Sequence, residues 1–401
     1  MANEMLRVGV VGTGSWARRA HIPGWQRDGR AEVVALADTS AEALASAAAQ
    51  FGVGRTTTDY TELTGDPDID VIDVVTGNRP HFEVSMAALA AGKHVLCEKP
   101  VHQDYRKTRE AAGIAAAGGL KTKVGFTFRY APAVQYAWEL ICEGFVGEPY
   151  LFNGFEQNSQ WIDPATPLRQ VDPAADASRI AVSSIEGYGA PIIDIMHWWL
   201  GAPLQSVVGT MRNFVPERMV RDTGQMTRAN IDDGDMWIAE FGPGPAGPDR
   251  AGSSGASTGP LASIQSSYVT VGNYPGIEAR IYGSQGAIIV RLVDEFGCCQ
   301  TIRTARKDAV EFTEQEIPAR FFPPGGHSGE PWEYLFYSSL ISDFISEIRG
   351  ERTASQGDFA QAALVQETIN AFEASFRQRS WVGFPLTGDG GRGPGSAFEG
   401  G

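Results

Sequence analysis

The sequence predicts an α/β domain with a doubly wound parallel sheet, followed by a second domain built on one broad sheet. Three observations carry this expectation. A glycine-rich turn, GTGSWA from Gly12 to Ala17, joins the apolar run Leu6 to Val11 to an amphipathic segment. Strand and helix patterns then alternate as far as residue 128. Beyond Arg129 the alternation stops, and apolar or alternating runs follow one another across short turns. A chain of 401 residues also exceeds what one hydrophobic core usually serves.

The first elements are a strand, a glycine turn and a helix, in the order a pyrophosphate site requires. Gly12 permits the tight turn, Gly14 lets backbone approach phosphate, and Ala17 allows close packing of helix on strand. The helix amino terminus supplies N–H donors and the positive end of a dipole. The second strand, Glu32 to Ala37, ends in Asp38. A carboxylate there accepts hydrogen bonds from ribose hydroxyls and repels a 2′-phosphate, so NAD is expected rather than NADP. Capping of the next helix is an alternative role for Asp38, although Thr39 or Ser40 can provide it. A helix over 40–51, a strand near 55–58, a strand over 71–75, a helix over 80–91, a strand over 93–97, a helix over 102–117 and a strand over 122–128 complete the series. Thr76, Asn78 and His81 follow the fourth strand, where they either contact a cofactor or form the turn and helix cap. The fifth strand ends abruptly in Glu98, Lys99 and Pro100. A charged pair there lies where cofactor and substrate meet at the carboxyl edge of a parallel sheet.

In the second half, a helix over 131–142 precedes strands expected over 150–156, 204–214, 235–241, 261–271, 277–282 and 286–292. Residues 242–260 form a low-complexity insertion, helices are expected over 331–349 and 358–377, and the tail from 386 to 401 is glycine-rich. The expected domains are 1–128 and 129–385, followed by that tail.

The runs GVVGTGSWARRAHIP, DVIDVVTGNRPHFEVSMAALAAGKHVLCEKP and VGFTFRYAPAV resemble the Gfo/Idh/MocA oxidoreductase family, with the Glu-Lys-Pro block as the most specific feature. Gly77 stands where many members have proline. The resemblance spans residues 5 to 385, most closely the first 135. It implies an N-terminal Rossmann domain and a C-terminal large, mostly antiparallel open sheet with helices on one face. That sheet is implied to carry the substrate pocket and a homodimer or homotetramer interface. The implied reaction is hydride transfer between a secondary hydroxyl of a sugar, cyclitol or sugar derivative and NAD, with Lys99 as base or hydroxyl contact. Cofactor contacts are expected from Gly12, Gly14, Ser15, Trp16, Asp38, Thr76, Asn78, His81, Glu98, Lys99 and Arg129.

The proton relay is less determinate. GYGAPIIDIMHWWLGAP, Gly187 to Pro203, matches a family segment that carries an aspartate and a histidine four residues later. Aligned without gaps on Trp198 to Gly201, it puts Gly187 and Pro191 at those positions, and the usual histidine is absent. A shifted register makes Asp194 and His197 the pair, at i and i+3 on a helix. His197 is then either catalytic or a packed helix histidine. Tyr188 and Glu186 are further candidates, and Gln157, Trp161 and Arg169 are expected to line the substrate pocket. Two other functions stay open: glycoside cleavage or elimination through transient oxidation with retained NAD, and a non-catalytic sensor of dinucleotide or sugar.

The net charge of −15 disfavours nucleic acid and anionic membranes as partners. No apolar stretch approaches the ~20 residues that span a bilayer, and MLRVGVVG lacks a basic-plus-apolar leader, so a cytoplasmic location is expected. Cysteines 97, 142, 298 and 299 form no CxxC pair; they are expected to be reduced, and no metal is expected.

Overall fold

The structure is a computed structural model that describes residues 5–167, 180–221, 223–244, 258–271, 276–293, 299–352 and 357–387. The insertion at 245–257, Arg169, Cys298 and the tail from 388 lie outside the described residues. The chain divides into two compact units, one of Met1–Pro132 with Pro318–Gln366 and one of Ala133–Ile317 with Glu367–Gly401.

In the first unit six strands pair in parallel: β1 (Leu6–Val11), β2 (Ala31–Ala37), β3 (Arg55–Thr57), β4 (Val71–Val74), β5 (His94–Cys97) and β6 (Thr122–Val124). Their order, β3-β2-β1-β4-β5-β6, reverses between β1 and β4, which makes the carboxyl ends of those strands the ligand edge of a doubly wound sheet. Strands β1, β2, β4 and β5 are predominantly apolar and buried because both faces are covered, whereas the edge strand β3 is polar and largely exposed. The crossover helices are α1 (Ile22–Arg27), α2 (Ala41–Phe51), α3 (Tyr60–Thr64), α4 (His81–Ala90) and α5 (Tyr105–Ala117). Ser40 caps α2 by accepting from the Ala43 N–H, and Asp59 and Asp104 do the same for α3 and α5.

Two boundaries differ from the sequence expectation. The sixth strand stops at Val124 rather than at 128, because the Phe126 N–H folds back to bond the Val124 carbonyl at 2.6 Å and a 3-10 turn, Thr127–Tyr130, follows. The units also do not part at a single point near residue 128. Helix Trp332–Ile348, α8 in chain order, belongs to the first unit, where Tyr337, Leu340, Ile341 and Phe344 bury against Ile22 and Trp25. Lys123 of β6 reinforces that packing: its buried ammonium lies 3.0 Å from Asp343 and 2.7 Å from Glu347. Burial alone would favour its neutral form, but Tyr130 and the two carboxylates hold it protonated, with its pKa raised.

Among the described residues the second unit has a nine-stranded sheet in which only β7 and β12 run parallel. After helix α6 (Pro132–Cys142) come β7 (Pro149–Gln157), helix α7 (Ala190–Leu200), β8 (Leu204–Arg212), β11 (Gly234–Phe241), β12 (Leu261–Ser267), β13 (Ile277–Gly283), β14 (Gly286–Val293), β15 (Cys299–Arg306), β16 (Thr313–Gln315) and β17 (Val382–Gly383). A separate hairpin pairs β9 (Glu217–Met219) with β10 (Met226–Arg228). The short polar strands β9, β10, β16 and β17 and the strand β15 carry no strong apolar alternation, and the sequence reading omits them. The expected strand over 261–271 ends at Ser267, where Ser267 and Tyr268 turn their hydroxyls onto the Asp233 and Asp232 carbonyls.

Helix α7 covers one face of this sheet. A Cβ on Gly154 would lie 2.5 Å from Ile192, so glycine sets how closely the helix approaches β7. The carboxyl-terminal part of α9 (Phe359–Gln378) covers the same face through Phe372 on Trp237. Leu151, Met236, Ile238 and Leu261 are exposed on the opposite face. Among the described residues no helix is long and apolar enough to cross a membrane.

Replacing Lys123 by Met would leave two buried carboxylates without their ammonium, so Lys123→Met is expected to lower unfolding free energy in urea by ~3–5 kcal/mol. Arg7→Ala, which removes an exposed ion pair with Asp68, should leave the urea midpoint close to that of the parent in the same titration.

Candidate active site

Four candidate groups sit at the carboxyl ends of neighbouring parallel strands: the glycine turn after β1, Asp38 after β2, Thr76 after β4 and Lys99 after β5. Gly12 has φ +99°, and a Cβ there would lie 2.5 Å from the Val75 carbonyl oxygen. Only glycine fits that crossing. Gly14 differs, since its Cβ would meet nothing within 4 Å. Its lack of a side chain therefore serves no packing need of the unit and leaves an open approach to backbone, as a pyrophosphate cradle requires. Gly14 and Ser15 are exposed, with the π-helical turn Ala17–His21 starting behind them.

Asp38 is held by its neighbours. Its Oδ2 accepts from the Thr13 N–H at 2.6 Å and hydroxyl at 2.8 Å, and Oδ1 accepts from the Ser40 N–H at 2.9 Å. Ser40 caps α2, so the helix does not draw on the Asp38 side chain for that role. A fixed, half-buried carboxylate beside the glycine turn fits the adenosine ribose of a dinucleotide. These residues together suit NAD.

The Glu-Lys-Pro block is anchored from beneath. Glu98 is buried, and its Oε1 receives the Tyr337 hydroxyl, the Trp16 indole N–H at 3.2 Å and His21 Nε2 at 3.2 Å. Burial opposes its charge, but His21 and Lys99 outweigh that and keep the carboxyl below its ordinary pKa. Lys99 is half-buried, and its backbone N–H points to Glu98 Oε2 at 3.3 Å. On the far side His81 is buried, with Nδ1 2.8 Å from the Pro100 carbonyl and Nε2 3.2 Å from the Thr76 carbonyl. Burial lowers the His81 pKa, against the pull of the Pro100 and Thr76 carbonyls and of Glu98. His81 thus joins the β4 and β5 edges. Asn78 is exposed at the same edge, and Arg129 is buried in the 3-10 turn after β6.

In the second unit α7 is preceded by a π-helical turn, Ile185–Gly189, which carries Glu186 and Tyr188. Buried Asp232 fixes its entry by accepting the N–H groups of Ser183, Ser184 at 3.0 Å and Ile185 at 3.2 Å. Burial pushes the Asp232 carboxyl up to about 7, against the pull of those N–H bonds and with help from Asp233. Tyr188 donates to Gln160 Oε1 at 2.6 Å and accepts from the Trp161 indole at 3.3 Å. Trp161 is steadied in turn by Arg218, which bonds its carbonyl at 2.5 Å and buried Asp233 at 3.1 Å.

The structure therefore gathers Trp161 and Tyr188 with Gln160, and separates other expected substrate residues. Gln157 ends β7 on the open face, in a shallow cleft with Phe155 and Arg280, whereas Glu156 beside it turns beneath the helices. Pro191 is in the first turn of α7, and the helix runs unbroken through Asp194 and His197. Asp194 is fully buried; His197 Nε2 lies 2.9 Å from the Thr368 hydroxyl, with the ring packed on Phe241. His21, Asp73, Tyr337, Gln160 and Asp232 were not singled out from sequence. Asp73 carries a signal in retrospect, as a carboxylate inside the buried run VIDVV needs a partner.

Residues 6–126 match the model of an oxidoreductase family with an NAD-binding Rossmann fold. Levoglucosan dehydrogenase of Pseudarthrobacter phenanthrenivorans is 26% identical over 299 residues, covering 71% of this chain and 73% of that protein. 1,5-Anhydro-D-fructose reductase of Ensifer adhaerens is 39% identical over 145 residues, 36% of this chain and less than half, 43%, of its own length. A solved levoglucosan dehydrogenase in complex with NADH superposes with a TM-score of 0.77 at 22% identity, covering 96% of this chain and all of that one, which shows a shared fold.

Because Gly14 borders open space, Gly14→Val should leave the melting temperature of the free protein within a few degrees of the parent. The same variant should lose the upward shift that NAD produces in the parent, as read by thermal denaturation with and without the nucleotide.

Proposed function

We propose that the chain belongs, through residues 6–126, to the Gfo/Idh/MocA oxidoreductase family and oxidises a secondary hydroxyl of a sugar or cyclitol with NAD. The observation that carries the proposal is the alignment of the open Gly14 turn, the fixed Asp38 carboxylate and the anchored Lys99 along one strand edge. Gly12 and Gly14 hold the pyrophosphate, and Asp38 holds the ribose and disfavours a 2′-phosphate. Bound there, the nicotinamide supplies the acceptor for the hydride that leaves the carbinol carbon. Lys99 Nζ receives the hydroxyl proton as the carbonyl forms, and Glu98 limits the freedom of the lysine backbone.

The open sheet face is proposed to pair with a second copy. Its exposed Leu151, Met236, Ile238 and Leu261 are interspersed with polar Asn153 and Ser263, which suits a self-complementary contact. Ile238→Arg is expected to shift the protein to monomer in light scattering; an unchanged dimer or tetramer counts against that face.

The activity is tested with levoglucosan, myo-inositol and 1,5-anhydro sugars, following nicotinamide absorbance with NAD. Reduction with at least one of these polyols is expected, and Lys99→Met should lower kcat by ~100-fold or more while leaving the NAD-induced thermal shift. Tightly retained NAD with no net reduction, or full activity of Lys99→Met, would contradict the reading.

A further inference from the structure

Beneath the Glu-Lys-Pro block lies a fully enclosed charge cluster that the proposed reaction does not use directly. His21 has no exposed surface, and neither has Asp73. His21 Nδ1 is 3.0 Å from both Asp73 oxygens, and Nε2 is 3.2 Å from Glu98 Oε1. Both ring nitrogens thus face carboxylate oxygen. A neutral imidazole would direct one lone pair at an anion, whereas an imidazolium donates from both sides. The Trp25 indole donates to Asp73 Oδ2 at 2.7 Å, the Tyr337 hydroxyl donates to Glu98, and the Tyr337 ring packs on His21 at 4.3 Å. The titratable groups facing the imidazole are therefore Asp73 from β4, Glu98 from the end of β5 and Tyr337 from α8. Gly125 leaves room for the Glu98 carboxylate, since a Cβ there would occupy its place.

We propose that His21 is a buried, doubly protonated imidazolium that clamps Asp73 and Glu98 together and thereby positions Lys99. It is a positioning residue, acting through Glu98 on the neighbouring lysine. Its charge is consistent with the balance of effects on the ring: burial would favour the neutral form, but Asp73 and the bonds to Asp73 and Glu98 prevail and raise the pKa from 6.5 to about 9. The imidazolium stabilises the fold fully below pH 6.5, and that contribution is lost as pH rises through about 9. The activity consequence rests on the dehydrogenase reading above; the charge state does not.

The charge state is read in the intact protein by 15N NMR of labelled histidine, with the His21 signals identified by their loss in His21→Gln. Both His21 nitrogens should keep protonated shifts at pH 8, and titration near the free value of 6.5 would overturn the proposal. If His21→Gln does not fold, Asp73→Asn is the second variant, and its His21 midpoint should fall by about one unit or more; an unchanged midpoint overturns the clamp. For positioning, with whichever polyol is turned over, His21→Gln should lower kcat at least tenfold with KM for NAD little changed. His21→Gln/Glu98→Gln should be no slower than the slower single variant. Unchanged kcat in a folded His21→Gln, or multiplicative losses in the double variant, would overturn the positioning role. If no polyol is oxidised, the dehydrogenase reading fails while the NMR result still decides the charge of His21.

Discussion

A carboxylate buried at the end of a parallel strand is costly unless it is paired, and Glu98 is buried there next to Lys99. Much of the first unit is arranged to satisfy it. His21 arrives from a π-helical turn after the glycine loop, Trp16 from the same loop, Tyr337 from a helix 239 residues away in sequence, and Gly125 yields space from the next strand. The π-turn changes the angular spacing after Trp16, so Trp16 and His21 both reach one carboxylate. Recruitment of α8 into the first unit follows from the same requirement, since Tyr337 supplies the hydroxyl while its neighbours fill the groove beside Trp25.

The second unit meets a related difficulty by another route. The π-turn at Ile185–Gly189 leaves backbone N–H groups at its start, and Asp232 from the edge of β11 accepts three of them. Burial nonetheless favours protonation of Asp232, and the same burial, with Asp232 nearby, raises Asp235 well above an ordinary carboxyl. Asp232 fixes the entry to the turn that leads into α7. That turn holds Tyr188 where Gln160 and Trp161 meet its hydroxyl.

The legible parts of the fold were those governed by local pattern. β1 to β5 and α2, α4 and α5 follow from apolar runs, glycine turns and capping serine or aspartate, and Asp38 and Lys99 fall at strand ends that such patterns define. The Glu-Lys-Pro block was visible as a charged strand terminus, but not what supports it, because His21, Asp73 and Tyr337 are joined only by tertiary packing. Gln157 is expected from the sequence to line the substrate pocket; strand alternation puts it on the opposite face from Glu156 and the helices. His197 could be read either as catalytic or as packed, and its contacts are with Thr368 and Phe241. Gln160 and Asp232 carry no local motif, so their roles emerge only when the loops are folded.

The anchored Lys99 edge is proposed to serve hydride transfer from a carbinol carbon to NAD. The most direct measurement uses levoglucosan and myo-inositol carrying deuterium at their carbinol carbons, with mass spectrometry of the nicotinamide after incubation with the protein and NAD. Hydride transfer from the carbinol carbon predicts reduced nucleotide bearing one deuterium from the polyol that is oxidised, and a slower rate than with the unlabelled compound. Reduced nucleotide without the label, or labelled polyol recovered beside wholly oxidised NAD, would contradict it.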